Sequence, residues 1–234
     1  MAYFTVKRIS ELASGQVLAP ERYDPRRESL SSINGDIKSV PLGRVAASAR
    51  LIVGPRSSEI DKVIILDTSD AREGLLISAK ASVRRDDIGS AKKVVRPGDV
   101  IISRLRPYLR QVAYVDPRLP NWRPDVTLVC STEFFVLRSV DDRSISFLVP
   151  FLLSAPVQAI LAAAQEGGHH PRVNESTLLE LPVPKLLLEE REAISSEVER
   201  AAALYRDAEA KVLTLIQCAE AAIATISAPK SQRG

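Results

Sequence analysis

The last quarter of the chain constrains the fold most, because its pattern is that of one long helix. After Pro184 there is no proline until Pro229, and between Gly168 and Gly234 there is no glycine. Good helix formers such as Ala, Glu, Leu and Arg dominate this stretch. Apolar residues recur in it at alternating steps of four and three, at Ile194, Val198, Ala201, Tyr205, Ala208, Val212, Leu215, Ala219, Ala222 and Ile226. This heptad pattern predicts a helix of roughly 38 residues, about 57 Å long.

These ten positions, called the seam below, need a surface to pack against. No second helix of this kind follows in the sequence, and the alanines at seam positions 201, 208 and 222 would let two helices approach closely. We therefore expect the seam to form a coiled coil with a partner molecule. Packing of the seam on the globular part of the same chain is the alternative.

The chain before this helix has the pattern of short strands. Runs rich in β-branched and aromatic residues are separated by turn formers such as Pro97-Gly98-Asp99. The predicted strands lie at Val63–Thr68, Val100–Leu105, Gln111–Val115, Val126–Cys130 and Phe134–Arg138. We expect an α+β fold in which a mixed, strand-rich domain is followed by the long helix.

The most apolar stretch, from Ile145 to Ala164, has about the length of a membrane span. Because Pro150 and Pro156 interrupt it, two short buried helices are expected instead. With 45% hydrophobic and 26% charged residues, the chain has the composition of an ordinary soluble protein. No apolar stretch directly follows Lys7 and Arg8, so the opening does not resemble a secretory signal, and we expect a cytoplasmic protein.

Residues that could carry chemistry are few. His169 and His170 are adjacent, whereas zinc ligands on a helix favour a spacing of four, so we expect a loop role at DNA or at a domain junction and no metal site. The tripeptide Glu209-Ala210-Lys211 resembles a nuclease E-x-K element but falls beside the seam, where its charges are expected to face water. The sequence therefore predicts no catalytic residue, and no cofactor bound by this chain.

One region is strongly basic. Between Lys80 and Pro124 there are eleven Lys and Arg residues against four Asp and Glu, in a chain whose net charge is only +3. Such an imbalance favours a polyanion-binding surface, and a solvated face is the alternative. Arg104 and Arg106 are two residues apart, which would place them on one face of a strand. Arginine can read guanine by two hydrogen bonds, and Lys and Arg neutralise phosphates.

Several segments resemble a known family. The strand signature "RPGDVIISRLRPYLRQVAYV", the strand "STEFFVLR" and the ending "GGHHPRVNESTLLELPVPKLLLEEREAI" occur in the order seen in the DNA-specificity subunits of type I restriction-modification (R-M) systems. "VKRISEL" and "VPLGRVA" are similar to the family's usual openings. The usual subunit has two target-recognition domains and two helices that pack antiparallel, so this chain resembles a half-length form with one of each.

The resemblance implies a domain layout and a role. Residues 1–185 would form the target-recognition domain, 186–228 the coiled-coil helix that also docks a methyltransferase subunit, and 229–234 a disordered tail. An antiparallel homodimer would read a bipartite, palindromic DNA site. Asn174 would cap a short helix at the junction. The residues expected to contact DNA are Arg84, Arg85, Lys92, Lys93, Arg96, Arg104, Arg106, Arg110, Arg123, His169, His170 and Arg172.

The resemblance also implies partners. A non-catalytic specificity subunit would direct an adenine DNA methyltransferase, which uses S-adenosylmethionine, and in some systems a restriction subunit, within a phage-defence system. The alternative function is a non-catalytic coiled-coil adaptor of a defence system that does not read DNA sequence. A self-sufficient enzyme is a third hypothesis.

Overall fold

The computed structural model describes Val6, Arg8 and residues 38–54, 60–77, 80–166 and 171–227. Its strands are β1 (Ser39–Pro41), β2 (Ala46–Ser48), β3 (Ile52–Val53), β4 (Lys62–Leu66), β5 (Ala71–Arg72), β6 (Leu75–Leu76), β7 (Val83–Arg84), β8 (Lys92–Val95), β9 (Val100–Ser103), β10 (Val112–Tyr114), β11 (Val126–Ser131), β12 (Phe134–Ser139), β13 (Gln165–Glu166), β14 (Arg172–Val173) and β15 (Pro182–Pro184). Its helices are α1 (Leu148–Leu153), α2 (Ala155–Ala163), α3 (Glu175–Leu179), α4 (Lys185–Glu189) and α5 (Arg191–Ser227).

Two larger sheets form the body of the strand-rich domain in the described part of the chain, and three two-stranded sheets, β1-β15, β5-β6 and β13-β14, accompany them. The first has the order β3-β8-β11-β4-β7, in which β11 and β4 are parallel and the other neighbours antiparallel. The second has the antiparallel order β10-β9-β12-β2, and the short turn between β11 and β12 connects the two. β1 pairs with β15 and so joins the start of the described domain to the segment before α5. The predicted α+β class is confirmed.

The strands predicted from β-branched runs are present as β4, β9, β10, β11 and β12. Valine and isoleucine fit these positions because their stiff side chains pack well on a pleated surface. The predicted turn between β8 and β9 is present too: Gly98 adopts a φ of 94°, and the Asp99 carboxylate accepts a hydrogen bond from the Arg96 amide at 2.7 Å. The same carboxylate is paired with Arg138 of β12, so this turn is tied to the second sheet.

The prediction that Arg104 and Arg106 share one face of a strand is wrong. β9 ends at Ser103, and Arg106 has a left-handed backbone with a φ of 45°. Pro107, which follows, cannot donate to a strand ladder and instead begins a single helical turn, Pro107–Leu109.

Three apolar clusters fill the layers. One lies between the sheets and includes Ile64, Leu128 and Phe134; Trp122 packs against it, so the lone tryptophan is a core residue. The largest lies between the second sheet and the helices, and a small third cluster covers the other face of the first sheet. Cys130 is buried in the first cluster and Cys218 is exposed on α5, so the two do not form a disulfide.

The apolar stretch 145–164 forms the two short helices that were predicted, α1 and α2, and both contribute to the largest cluster. No helix among the described residues is long and apolar enough to cross a membrane. The short helix α3 also forms, and Asn174 is its N-cap residue; contrary to prediction, the Asn174 side chain makes no capping hydrogen bond.

The long helix is confirmed as α5, which has 37 residues. Its first half lies on the domain, where Arg191, Ser195, Ala202 and Arg206 are buried. Every side chain from 211 to 224 is exposed. At about 100° per residue, the buried face is rotated by about a quarter of a turn from the seam.

The seam is therefore mostly left uncovered by the chain's own domain. Ile194 and Val198 pack against the largest cluster, and Tyr205 is half-buried, so the alternative of internal packing holds at the start of the seam. The seam positions with exposed side chains are Ala201, Ala208, Val212, Leu215, Ala219 and Ala222. The side chain of Ile226 lies outside the described part, and the coiled-coil partner stays a prediction.

Candidate nucleic-acid interface

Several chain segments meet at one end of the two sheets. The start of β8 and the end of β11 are neighbours there, since Lys92 is paired with Ser131. The end of β9 and the start of β12 lie at the same end, since Ser103 is paired with Phe134. β14 is attached through a hydrogen bond from the Val173 amide to the Arg104 carbonyl at 2.9 Å. His169 and His170, which were also predicted to contact DNA, lie outside the described residues.

Glu133, in the turn between β11 and β12, is the centre of this arrangement. Its carboxylate accepts two hydrogen bonds from Arg172, from Nε at 3.1 Å and from Nη2 at 2.7 Å. Nε of Arg104 lies 3.7 Å from the same carboxylate, and the Arg104 amide donates to the Glu133 carbonyl at 2.9 Å. The hydrogen bond from Arg172 lowers the pKa of Glu133, so this carboxylate is charged and holds both guanidinium groups.

Lys93 adds a cation beside this carboxylate. Its Nζ donates to the Phe134 carbonyl at 2.6 Å and lies 5.6 Å from the centre of the Phe135 ring. The Arg104 guanidinium lies 5.8 Å from the same ring. Burial lowers the pKa of Lys93; the charge of Glu175 raises it, and the positive charges of Arg104 and Arg50 lower it. Lys93 therefore lies within reach of all three charges.

Arg50, after β2, completes the group through an ion pair with Glu175 at the start of α3. We call Arg50, Lys93, Arg104 and Arg172, with Glu133 and Glu175, the basic cluster. Four cations and two carboxylates leave it with a net charge of +2. Nε of Arg104 is buried and has no hydrogen-bond partner among the described residues, although the rest of its side chain is partly exposed. The partly exposed remainder of this guanidinium, in a net-positive cluster, is suited to an anionic or hydrogen-bond-accepting ligand.

The other residues predicted to contact DNA lie elsewhere. Lys92 precedes Lys93 and donates to Ser90. Arg84 lies in the edge strand β7, and Arg85 follows it. Two strands, β11 and β4, separate β7 from β8 in the sheet. Arg96 and Arg123 lie at the opposite end of the first sheet, after β8 and before β11.

Arg106 and Arg110 flank the turn between β9 and β10. Arg106 is exposed, whereas Arg110 donates from Nε to both carboxylate oxygens of Glu73, at 2.8 and 2.9 Å, and from Nη1 to the Leu153 carbonyl at 2.9 Å. Arg110 therefore positions the turn, because its guanidinium is already used within the protein.

Two arginines hold α5 on the domain. Arg191 donates from Nη1 and Nη2 to the two oxygens of Asp141, at 2.7 and 2.8 Å, and from Nε to the Ser144 carbonyl at 2.7 Å. About four turns further on, Arg206 is paired with Asp116 and with Glu209. The expectation that Glu209 simply faces water is wrong, since its carboxylate accepts from Nη1 of Arg206 at 2.8 Å. A helix fixed at two points keeps a constant angle to the domain.

Comparison with known proteins shows which solved structures share this fold. No protein-family model and no curated protein matches the sequence. A solved structure of the type I R-M system, reported for its complex assembly and conformational transition, is 25% identical to this chain with a TM-score of 0.54, and the match covers 84% of this chain and 50% of that chain. The fold is that of a type I R-M protein. The HsdS subunit from Thermoanaerobacter tengcongensis is 24% identical over 78% of this chain and 48% of that chain, with a TM-score of 0.49.

The fold expected from the family resemblance is thereby confirmed. This chain spans about half the length of the solved structures that it matches. Among the described residues, no group of three His, Cys, Asp or Glu side chains could hold a metal ion.

Sequence reasoning missed three members of the basic cluster in this type I R-M fold: Arg50, Glu133 and Glu175. Arg50 stands outside the region of highest positive charge, and it reaches the cluster only because β2 is paired with β12. Glu133 looks like an ordinary acidic turn residue, and its partners are 29 and 39 positions away in the sequence. The segment "STEFFVLR", which contains Glu133 and resembles a strand of the family, is the one signal that could have drawn attention to it.

Proposed function

We propose that this chain is a non-catalytic subunit that reads a double-stranded DNA sequence and directs a partner adenine methyltransferase to it. The observation that carries the proposal is the meeting of Lys93, Arg104 and Arg172, from three separate segments, in one net-positive cluster. The sequence alone predicted each of these three residues as a DNA contact. The likeness to a structure of the type I R-M system supports the same role.

Within this proposal the cationic residues have different tasks. Lys92 and Lys93 would neutralise phosphates and set the register of the duplex, while Arg104 and Arg106 would reach base edges. Glu133 would hold Arg104 and Arg172 in a fixed orientation, which guanine recognition by two hydrogen bonds requires. His169 and His170, shortly before Arg172 in the sequence, remain candidates for contact with the same duplex.

The partners follow from the role. The methyltransferase subunit would supply S-adenosylmethionine chemistry, and a restriction subunit is a further candidate partner. We infer that the uncovered seam of α5 pairs antiparallel with the seam of a second copy, which would present two identical domains to a palindromic, bipartite site. Because a subunit of this kind would act on chromosomal and phage DNA, we expect the chain to be cytoplasmic.

The test is a binding assay on duplexes recovered from a random pool by the purified chain, followed by fluorescence anisotropy over a series of salt concentrations. The double variant Arg104→Ala/Arg172→Ala should lose the preference for recovered over random duplexes. The double variant Lys92→Ala/Lys93→Ala should weaken binding to both and lower the salt slope, by about 0.9 for each phosphate that is no longer neutralised.

The matched control is Arg96→Ala/Arg123→Ala, which removes the same charge at the opposite end of the first sheet. Wild-type binding by the cluster variants, or loss of binding by the control alone, would refute the assignment of the interface. The exposed seam also favours the alternative function, a coiled-coil adaptor that does not read DNA. Duplex binding that is absent, or that does not weaken as salt rises, would support that alternative.

A further inference from the structure

The turn between β9 and β10 carries an exposed aromatic side chain. Tyr108 has a relative exposure of 67%, and the neighbouring Leu109 of 45%. Of the aromatic residues that the structure describes, Tyr108 alone is exposed; the others are buried or half-buried. Most of Tyr108 is presented to solvent, so the packing of the domain does not account for its ring, whereas Leu109 is only partly exposed.

The turn that carries Tyr108 is held rigidly. Arg106 and Arg110, on either side, have left-handed backbones with φ of 45° and 51°, a conformation that side chains with a Cβ adopt only when the surrounding structure imposes it. Between them, Pro107 is buried and the Leu109 amide donates to the Arg106 carbonyl at 2.9 Å.

The side chain of Arg110 anchors the turn to two other segments, through Glu73 and the Leu153 carbonyl at the end of α1. The Glu73 amide donates in return to the Arg110 carbonyl at 3.3 Å. The backbone of the turn at Tyr108 is therefore held in place before any ligand arrives, which lowers the entropic cost of binding through this turn.

The charges around the turn favour a nucleic acid as the ligand. From Arg104 to Arg110 the chain carries three arginines and no acidic residue. Arg110 is paired with Glu73, whereas Arg106 is exposed and Arg104 belongs to the basic cluster. An apolar protein surface would gain little from this charge. A duplex has acceptors for the guanidinium groups of Arg104 and Arg106 and, where a base step opens, an aromatic face for the tyrosine ring.

We propose that Tyr108, assisted by Leu109, inserts as a wedge at a base step of the bound duplex and stacks on a nucleobase. The inference rests on the proposed function, because it requires that the basic cluster bind DNA. It adds that the turn opens the stack at one step, so that part of the sequence preference comes from how easily that step unstacks.

The experiment uses the full chain and a recovered duplex in which 2-aminopurine replaces adenine at one position at a time. Fluorescence of this base rises when it is unstacked, and we expect a rise at one step with the wild-type chain. Tyr108→Ala should abolish the rise and weaken binding by roughly tenfold or more, the effect of removing one stacked base. Because this variant leaves every phosphate-binding side chain in place, its salt slope should not change.

Two conservative variants separate stacking from other roles. Tyr108→Phe and Tyr108→Trp should keep both the fluorescence rise and the affinity, since the ring and not the hydroxyl makes the contact. Val140→Ala, which trims an exposed apolar residue beyond the far end of β12, serves as the control and should bind as the wild type does. Unchanged thermal melting of Tyr108→Ala would show that the fold is intact.

The outcomes are distinct. Normal affinity of Tyr108→Ala with no fluorescence rise in any complex would overturn the wedge and leave the proposed function standing. Normal DNA binding by Tyr108→Ala combined with loss of a protein partner would also overturn it, since the turn would then bind a protein. A wild-type chain that recovers no duplex at all would overturn the proposed function and the wedge together.

Discussion

Arg206 of α5 and Asp116, which follows β10, form an ion pair enclosed within the protein, with 3% and 5% of their side chains exposed. Nε and Nη2 of Arg206 donate to the same carboxylate oxygen at 3.1 and 2.9 Å. Nη2 also donates to the Leu76 carbonyl at 2.7 Å, and the second oxygen of Asp116 accepts from the Arg118 amide at 2.9 Å. The pair thus joins the middle of the long helix to β6 and to the loop after β10.

Removal of one member of this pair should be strongly destabilising. Arg206→Met leaves the Asp116 carboxylate buried without its counter-charge, and such changes cost about 3–5 kcal/mol of unfolding free energy. Urea denaturation followed by circular dichroism measures this. Arg118→Ala, which removes an exposed ion pair with Asp207, is the control and should leave the unfolding midpoint nearly unchanged. Equal stability of Arg206→Met and the wild type would mean that the pair does not hold the helix.

Stability should also fall in acid through Asp141. Its hydrogen bonds from Arg191 lower its pKa well below the ordinary value of about 3.9. A carboxyl whose pKa is lower when folded than when unfolded stabilises the fold above the unfolded value, and that contribution is lost as the pH falls below it. The unfolding free energy should therefore decline between roughly pH 5 and pH 2, and less steeply in Asp141→Asn.

Asp142→Asn is the control for this pH dependence, because Asp142 is adjacent and exposed but is not the residue paired with Arg191. Its left-handed φ of 58° is readily adopted by asparagine. Denaturation series from neutral pH down into the acid range should give the wild-type slope for Asp142→Asn. A wild-type slope for Asp141→Asn as well would show that other carboxyls account for the acid sensitivity.

The parts of this fold that could be predicted are those with a long or regular pattern. The heptad repeat predicted α5 to within a few residues, and the β-branched runs predicted the strands around the core. Two-residue strands such as β3 and β14 have no periodicity, so only pairing with distant segments defines them. The face of α5 that packs on the domain could not be predicted for a related reason. It includes Arg191, Ser195 and Arg206, polar residues that become buried only because the domain provides partners for them.

The candidate site was predicted in part. Charge drew attention to Lys93 and Arg104, and the family resemblance to Arg172. The strand assumed through Arg106 ignored that Pro107 has no amide hydrogen with which to continue a strand ladder. Composition also could not distinguish Arg104 in the cluster from Arg96 at the other end of the sheet, because their separation depends on strand register.

Glu133 should limit non-specific DNA binding. Glu133→Gln keeps the shape of the side chain but removes the charge that offsets Arg104 and Arg172. Affinity for random duplexes should rise by up to about fivefold, the effect of one exposed or partly exposed charge pair, and the preference for the recovered duplex should fall because the guanidinium groups are less well oriented. Asp125→Asn makes the same charge change at the opposite end of the first sheet and should alter neither quantity. A Glu133→Gln chain that binds random duplexes more weakly would contradict this role.

The exposed seam predicts the state of association. Val212 and Leu215 have exposures of 55% and 61%, although their spacing is that of a coiled-coil core. Light scattering should give the mass of a dimer for the wild-type chain and of a monomer for Val212→Glu/Leu215→Glu, because each unpaired charge in an apolar interface costs several kcal/mol. Ala210→Glu/Gln217→Glu places the same two charges on the opposite side of α5 and should remain dimeric. A wild-type monomer would mean that the seam is covered by a different protein, and the two-fold model of DNA recognition would then be wrong.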